Sequence, residues 1–304
     1  MIKETLESPT SAQINLYSLV PVGSIKGIIQ ITHGMAEHGA RYFRFAENCV
    51  SAGYAVFVHD LRGHGYTKAN DAPLGVFGVA NGFSLVLEDQ NAIVELIKMR
   101  FPKIPIICFG HSLGAIIALT YAIKYPKNID ALVCWNKPET NLLAKFSKVM
   151  LLIEKVFRGQ SRPSLFAWKL SYGAWNAKFK PNRTQSDWIS QDEAEVDAYD
   201  SDPLCGFDVS ISMWLDVLDG VFLVGDNRNL DILTKSLPIH TLGGAEDPCT
   251  NQGHDLRKFE KKLKDTGLID VTCEILKNTR HESLNELNRV ETTEQFLDWM
   301  AKRF

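Results

Sequence analysis

Through the first 136 residues, short apolar runs alternate with longer stretches whose apolar residues recur every three or four positions. The runs "INLYSLV" (14–20), "GIIQIT" (27–32), "YAVFVH" (54–59), "IPIICFG" (104–110) and "DALVCW" (130–135) predict strands. They show little polar alternation, which predicts strands buried on both faces. Helices are predicted around Phe43 to Ser51, over 84–101 and over 113–125. The second carries Val86, Ile93, Leu96 and Ile97 at helical spacing with Pro102 after its end, and Pro126 stops the third. This alternation predicts an α/β fold with a mostly parallel sheet between helices.

The rhythm breaks after Trp135. From 140 to 229 the chain reads as helical, rich in aromatics (Phe166, Trp168, Tyr172, Trp175, Phe179, Trp188 and Trp214) and without a clear strand. Strand patterns return in "LPIHTLGG" and "DVTCEIL", followed by a closing helix, "TTEQFLDWMAKRF". The expected organisation is therefore a core in two parts, 1–139 and 230–304, interrupted by a helical insert at 140–229, too long for an ordinary loop. At its start, 142–158 reads as an amphipathic helix. Leu142, Phe146, Val149, Ile153 and Val156 share one side, with Lys145, Lys148, Lys155 and Arg158 largely elsewhere. Such a helix can touch an anionic membrane transiently; the plainer expectation is a packed helix with a solvated basic face. The aromatics of 166–188 either line a pocket or form the insert's own small core.

Composition narrows the classes. With 304 residues and a formal net charge of −3 there is no basic face for nucleic acid. The start shows no basic segment leading into an apolar one, and no apolar run approaches a membrane span. Cys49, Cys108, Cys134, Cys205, Cys249 and Cys273 are scattered without a C-x-x-C pair. A reduced, cytoplasmic protein is expected. The glycosylation-like tripeptide Asn182-Arg183-Thr184 is then a chance match.

The candidate chemistry begins at "GHSLG", residues 110–114, between a buried-type strand and a clean helix. A turn that tight strains its central residue, and glycine belongs two positions either side. This G-x-S-x-G arrangement exposes Ser112 as a nucleophile. A serine hydroxyl needs a base and an orienting acid, expected in the chain order Ser, Asp or Glu, His. Of the later histidines, His240 lies inside a strand and His254 in a polar loop or helix start. His281 leaves the last strand and is the expected base. The acid is expected in "TLGGAEDP" as Asp247, with Glu246 the weaker rival. An oxyanion hole needs two backbone amides aimed at one point. Leu113 supplies one, and Met35, in the loop after "GIIQIT", the other. His33 and His38 form a conceivable metal pair, yet no third ligand of suitable spacing is near. His59 and His64 read as packed histidines in a glycine-rich turn. No metal and no cofactor are expected.

"HGMAEHGARY", "HDLRGHG", "GHSLG", "GAEDP" and "RHESLNE" together resemble the α/β-hydrolase group that contains monoacylglycerol lipases and bacterial lysophospholipases. The resemblance covers nearly the whole chain, and "DPLC" (202–205) resembles a family stretch as well. It implies an α/β-hydrolase fold with a helical cap inserted after the sixth strand. It matches Ser112, Asp247 and His281 to a catalytic triad, and Met35 and Leu113 to the oxyanion hole. The implied substrate is a small lipid ester. An aminopeptidase on the same fold needs an acidic cap residue, for which Glu193 and Glu195 are candidates; a small-ester carboxylesterase and a non-catalytic ligand-binding relative are the other rivals. Two departures stand out. "CWNKPETN" lacks small residues at the cap's entrance, and Ala115 replaces a frequent glycine.

Overall fold

The computed structural model describes residues 1–140 and 142–304. Among these, eight strands form one sheet: β1 (Ile2–Glu7), β2 (Gln13–Leu19), β3 (Gly27–Thr32), β4 (Tyr54–His59), β5 (Ile106–His111), β6 (Ala131–Trp135), β7 (Ile239–Gly244) and β8 (Val271–Leu276). Their order is β1-β2-β4-β3-β5-β6-β7-β8, with β1 and β2 antiparallel to their neighbours and the remaining pairs parallel. The helices in chain order are α1 (Phe43–Ser51), α2 (Gly82–Arg100), α3 (Leu113–Lys124), α4 (Leu142–Arg158), α5 (Leu165–Trp168), α6 (Ala174–Asn176), α7 (Glu193–Ser201), α8 (Ile211–Gly225), α9 (Asn227–Leu230), α10 (His254–Asp265) and α11 (Arg289–Ala301).

The central strands explain the runs of Ile, Val and Phe. Alternate residues enter two separate cores: Ile28, Cys108, Leu132 and Cys134 face one, while Ile29, Ile107, Phe109, Val133 and Trp135 face the other. The first core is closed by α2, α3 and α8, the second by α1 and α11. Because both faces are covered, apolar residues at successive positions are all buried.

Two elements depart from the sequence expectation. β1 was not expected, because "IKETLE" alternates partly buried and exposed residues at the sheet edge and has no apolar run. With it, the helical segment does follow the sixth strand. The second is α4, which turns its expected packing side outward. Leu142, Phe146, Val149, Ile153 and Val156 are all exposed, and Leu151 is its buried residue. His254, expected in a polar loop or at a helix start, starts α10, which buries Leu256, Phe259 and Leu263.

β3 sits between β4 and β5, so the chain reverses its direction of travel across the sheet there. In open α/β sheets such a switch opens a crevice beyond the carboxyl ends of the strands. The loops leaving β3 and β5 meet in that crevice.

Candidate active site

Ser112 stands between β5 and α3 with φ 54° and ψ −114°, a region that side-chain-bearing residues seldom occupy. Its neighbours show why glycine is required. A Cβ on Gly110 would lie 2.1 Å from the Gly114 carbonyl oxygen, and one on Gly114 would lie 2.0 Å from that of Thr32. Both obstacles are backbone and cannot turn aside. Ala115 is completely buried at the next position and its amide donates to the Ser112 carbonyl.

Of the three later histidines, the fold brings His281 to the serine. His281 Nε2 lies 2.9 Å from Ser112 Oγ, and Nδ1 lies 3.0 Å from Asp247 Oδ1. Asp247 is wholly buried in the loop after β7. Its Oδ1 also accepts the Cys249 amide at 2.9 Å, and its Oδ2 accepts Asn136 Nδ2 at 3.0 Å and the Thr250 hydroxyl at 2.9 Å. Burial pushes this carboxyl up, but His281, Asn136 and the Cys249 amide outweigh it and hold it below the ordinary aspartate value. Glu246 instead accepts from Gln191 Nε2. His240 is buried in β7, where its Nδ1 accepts from the Trp135 indole at 3.0 Å, and His254 is exposed.

Asn136, Thr250 and Ser283 escaped the sequence reading. Asn136 follows β6 with φ 52°, a conformation asparagine tolerates, and its Oδ1 accepts the Ser283 hydroxyl at 3.1 Å. An asparagine at a strand exit was the available signal, inside the stretch "CWNKPETN" that departed from the family pattern.

The glycine-rich histidines are packed, as expected. His33 uses Nδ1 on the Gly34 carbonyl and accepts the Leu61 amide at Nε2, which leaves no lone pair for a metal. Burial pushes its pKa down to about 4, and those of His59 and His64 to about 3. His38 separates from His33 and bonds Asp202 at 2.9 Å, with Cys205 close by.

Ser112, His281, Met35 and Leu113 open onto one cavity of about 710 Å³, within the range of small-molecule sites. Ile116, Leu151, Leu170, Val217 and Val221 line it, and so do Glu139, Asp255, Lys258 and Lys262. Of the seven aromatics singled out in the sequence, Tyr172, Trp175, Trp188 and Trp214 line this cavity, whereas Phe166, Trp168 and Phe179 stand outside it. The Trp188 ring lies 4.8 Å from that of His281 and stacks on Tyr172 at 5.4 Å. Cys249 lines the cavity and Cys205 is buried, and burial pushes both thiols up, so neither is primed to react. All six cysteines are unpaired. Glu195 is engaged by Arg44 at 2.6 Å and Glu193 is exposed near Arg183; neither reaches the cavity.

Similarity to known proteins identifies the family. The family described as serine aminopeptidase, S33 (Hydrolase_4) matches residues 23–288. The human monoglyceride lipase is 27% identical over 292 residues, 93% of this chain and 85% of the relative. The Mycolicibacterium smegmatis monoacylglycerol lipase is 29% identical over 179 residues, 59% of this chain and 56% of the relative. Among solved structures, a carboxyl esterase from Bacillus coagulans superposes with TM-score 0.91 at 22% identity, covering 99% of this chain and 98% of that one. A monoglyceride lipase from Saccharomyces cerevisiae gives 0.76 at 18%, covering 99% and 94%. With a family match over most of its length and the fold to go with it, the chain belongs to the serine aminopeptidase S33 group of α/β-hydrolases.

Proposed function

We propose that this protein is a serine hydrolase of carboxylic esters, and that its substrates are monoacyl lipids such as monoacylglycerols or lysophospholipids. One observation carries the reading: a hydrogen-bonded line from Ser112 through His281 to buried Asp247 opens on a largely apolar, lipid-sized cavity. The names of the curated relatives support it.

In this scheme His281 Nε2 takes the Ser112 proton as Oγ attacks the ester carbonyl. Asp247 holds the proton of Nδ1, so Nε2 is the nitrogen free to accept, and it steadies the imidazolium that forms. The Met35 and Leu113 amides receive the oxyanion; Leu113 is the first residue of α3, where helix amides have no intrahelical partner. His281 gives its proton to the leaving alcohol, draws one from the water that attacks the acyl-enzyme, and hands it back to Ser112 Oγ as the acid leaves. Side chains, amides and water complete the cycle.

We assign residues 140–229 as a cap over a core formed by 1–139 and 230–304. The exposed apolar side of α4, flanked by exposed Lys145 and Lys155, is a surface for transient contact with anionic membrane. A reducing, cytoplasmic setting accords with the six unpaired thiols. The aminopeptidase reading is weaker because Glu193 and Glu195 are away from the cavity. The four acids that do line it are all engaged by cations: Glu37 and Glu282 by Arg41, Glu139 by Lys137 and Lys262, and Asp255 by Lys258.

The test is fluorophosphonate labelling and kcat/KM across esters of graded acyl length at one head group, below micelle-forming concentrations. Each added methylene is worth about 0.8 kcal/mol in an apolar site, close to fourfold. Ser112→Ala should abolish labelling and turnover. Retained turnover in that variant would remove the mechanism, and a maximum at acetate would move the protein to the small-ester carboxylesterases.

A further inference from the structure

Glu37 is a carboxylate buried to within 3% of full enclosure, in the loop that carries Met35. A buried charge of this kind persists only with several partners, and its partners are unusual in where they lead. Its Oε1 accepts the Gly34 amide at 2.6 Å and the Tyr42 hydroxyl at 2.9 Å, while Oε2 accepts Arg41 Nη1 at 2.8 Å. A Cβ on Gly34 would fall 2.6 Å from Oε1, so glycine is what lets the carboxylate press against the backbone immediately before Met35.

The same anion reaches the other reacting groups. Arg41 forks onto both oxygens of Glu282, the residue after His281, at 2.6 Å each. His111, the residue before Ser112, lies with Nδ1 3.4 Å from Glu37 Oε1, and its Nε2 donates to the His281 carbonyl at 3.0 Å. With Nε2 committed as donor, the neutral ring would turn the Nδ1 lone pair toward a carboxylate. The imidazolium suits both neighbours. Burial opposes that charge, Glu37 favours it, and the net effect raises the His111 pKa.

We propose that Glu37 is a positioning residue for the reaction: from one buried carboxylate it sets the amide loop at Gly34–Met35, and through Arg41–Glu282 and His111 it sets the backbone of His281 relative to Ser112. This rests on the Ser112–His281–Asp247 reading above. The argument is one of geometry. Oxyanion donors act only within a few tenths of an ångström of the charge that develops, and displacement of about 1 Å costs on the order of 100-fold. Glutamine cannot replace the carboxylate, because wherever its NH2 group is placed it faces a donor: Arg41 on one side, Gly34 and Tyr42 on the other.

The experiment compares Glu37→Gln, the milder Tyr42→Phe, and Asp89→Asn in the full chain with a short, soluble p-nitrophenyl ester. Asp89 pairs with buried Arg62 at 2.9 Å away from the cavity, so its variant reports what loss of a buried ion pair does to the fold alone. Glu37→Gln should lose about 30- to 100-fold in kcat with KM within about threefold, and Tyr42→Phe about three- to tenfold in kcat. Asp89→Asn should lose thermal stability and keep kcat. Should Glu37→Gln fail to fold, Tyr42→Phe carries the decision. Wild-type kcat in either folded Glu37→Gln or Tyr42→Phe, or a loss confined to KM, overturns the proposal. Turnover that persists in Ser112→Ala overturns the underlying mechanism instead, so the two failures are distinguishable.

Discussion

Replacing Asp247 by asparagine should test the orienting role, because the new NH2 group has two places to go and neither is comfortable. In the first, it takes the place of Oδ1. There it faces the Cys249 amide, now 2.9 Å from a donor instead of an acceptor, and His281 Nδ1 at 3.0 Å. The imidazole relieves the second contact by carrying its proton on Nε2, the atom that should accept from Ser112. Hydrolysis then stops.

In the second placement the NH2 group replaces Oδ2, opposite Asn136 Nδ2 and the Thr250 hydroxyl. The hydroxyl can rotate, but Asn136 must flip its amide, and its Oδ1 currently holds Ser283. This keeps the useful tautomer and still removes the negative charge that steadies the imidazolium. Each placement leaves one donor-to-donor contact, about 1–3 kcal/mol for a buried polar group left unsatisfied, so neither excludes the other. The expected loss in kcat is about 10³- to 10⁴-fold, equivalent to roughly 4–5.5 kcal/mol of barrier. Steady-state hydrolysis of a p-nitrophenyl ester measures it, with fluorophosphonate labelling slowed in parallel. Activity within tenfold of the parent would refute the reasoning, and a larger loss in Glu246→Gln than in Asp247→Asn would transfer the role to Glu246.

Two further outcomes follow from groups outside the reaction. His33, His59 and His64 are buried with pKa values pushed down to about 4, 3 and 3, so the unfolded chain binds three protons that the folded one does not once pH falls below about 6.5. Their stabilising contribution is complete above that pH and is lost as pH falls toward 4, with a limiting slope of about 4 kcal/mol per pH unit. Urea titrations at pH 7.5, 6.5, 5.5 and 4.5 should show it, and stability that stays level from 6.5 to 4.5 would contradict it. On α4, Leu142, Val156 and Phe157 are each 80% exposed or more. Exchanging all three for serine should leave the melting temperature and soluble-ester kinetics unchanged while lowering co-sedimentation with anionic vesicles tenfold or more; unchanged co-sedimentation would dismiss the membrane surface.

The parts of this molecule that were legible beforehand are those in which a local constraint leaves a local trace. Strands buried on both faces must be apolar at consecutive positions, so β3 to β6 stand out as runs of Ile, Val and Phe. The strained turn at Ser112 must carry Gly110 and Gly114, because Cβ atoms there would meet backbone oxygens. That Asp247 and His281 would meet beside Ser112 was legible at one remove, from chain order and their places just beyond β7 and β8. What escaped depends on partners far away in sequence. Asn136 meets Asp247 across 111 positions and Arg41 meets Glu282 across 241, and an isolated asparagine or arginine carries no mark of either. The polar edge strand β1 lacks an apolar run, since one side of its ladder is open. Periodicity revealed the two-sided character of α4 but not which side turns inward. Leu143, Ala144, Ser147 and Leu151 line the cavity, and the larger apolar side is left outside.

The helical segment between β6 and β7 also divides into halves with different mechanical ties to the site. Residues from 187 onward grip the loops that carry the reacting groups. Arg280, beside His281, donates to the carbonyls of Asp187 and Ser190, and buried Glu286 accepts the Gln191 amide. In the loop that carries Met35, the Ala36 carbonyl accepts both the Tyr199 hydroxyl and the Gly206 amide, at 3.0 and 2.9 Å. Ala36 itself has φ 57°, an uncomfortable conformation for alanine that these two bonds help to hold. α4 rests mainly on α8 and turns its large apolar side chains outward. A substitution in 187–206 therefore acts on the geometry around His281 and Met35 as well as on the room for substrate. One on the outer side of α4 acts on what that surface meets. Changes in kcat should accordingly cluster in 187–206 and changes in surface binding on the outer side of α4, even though both lie between β6 and β7.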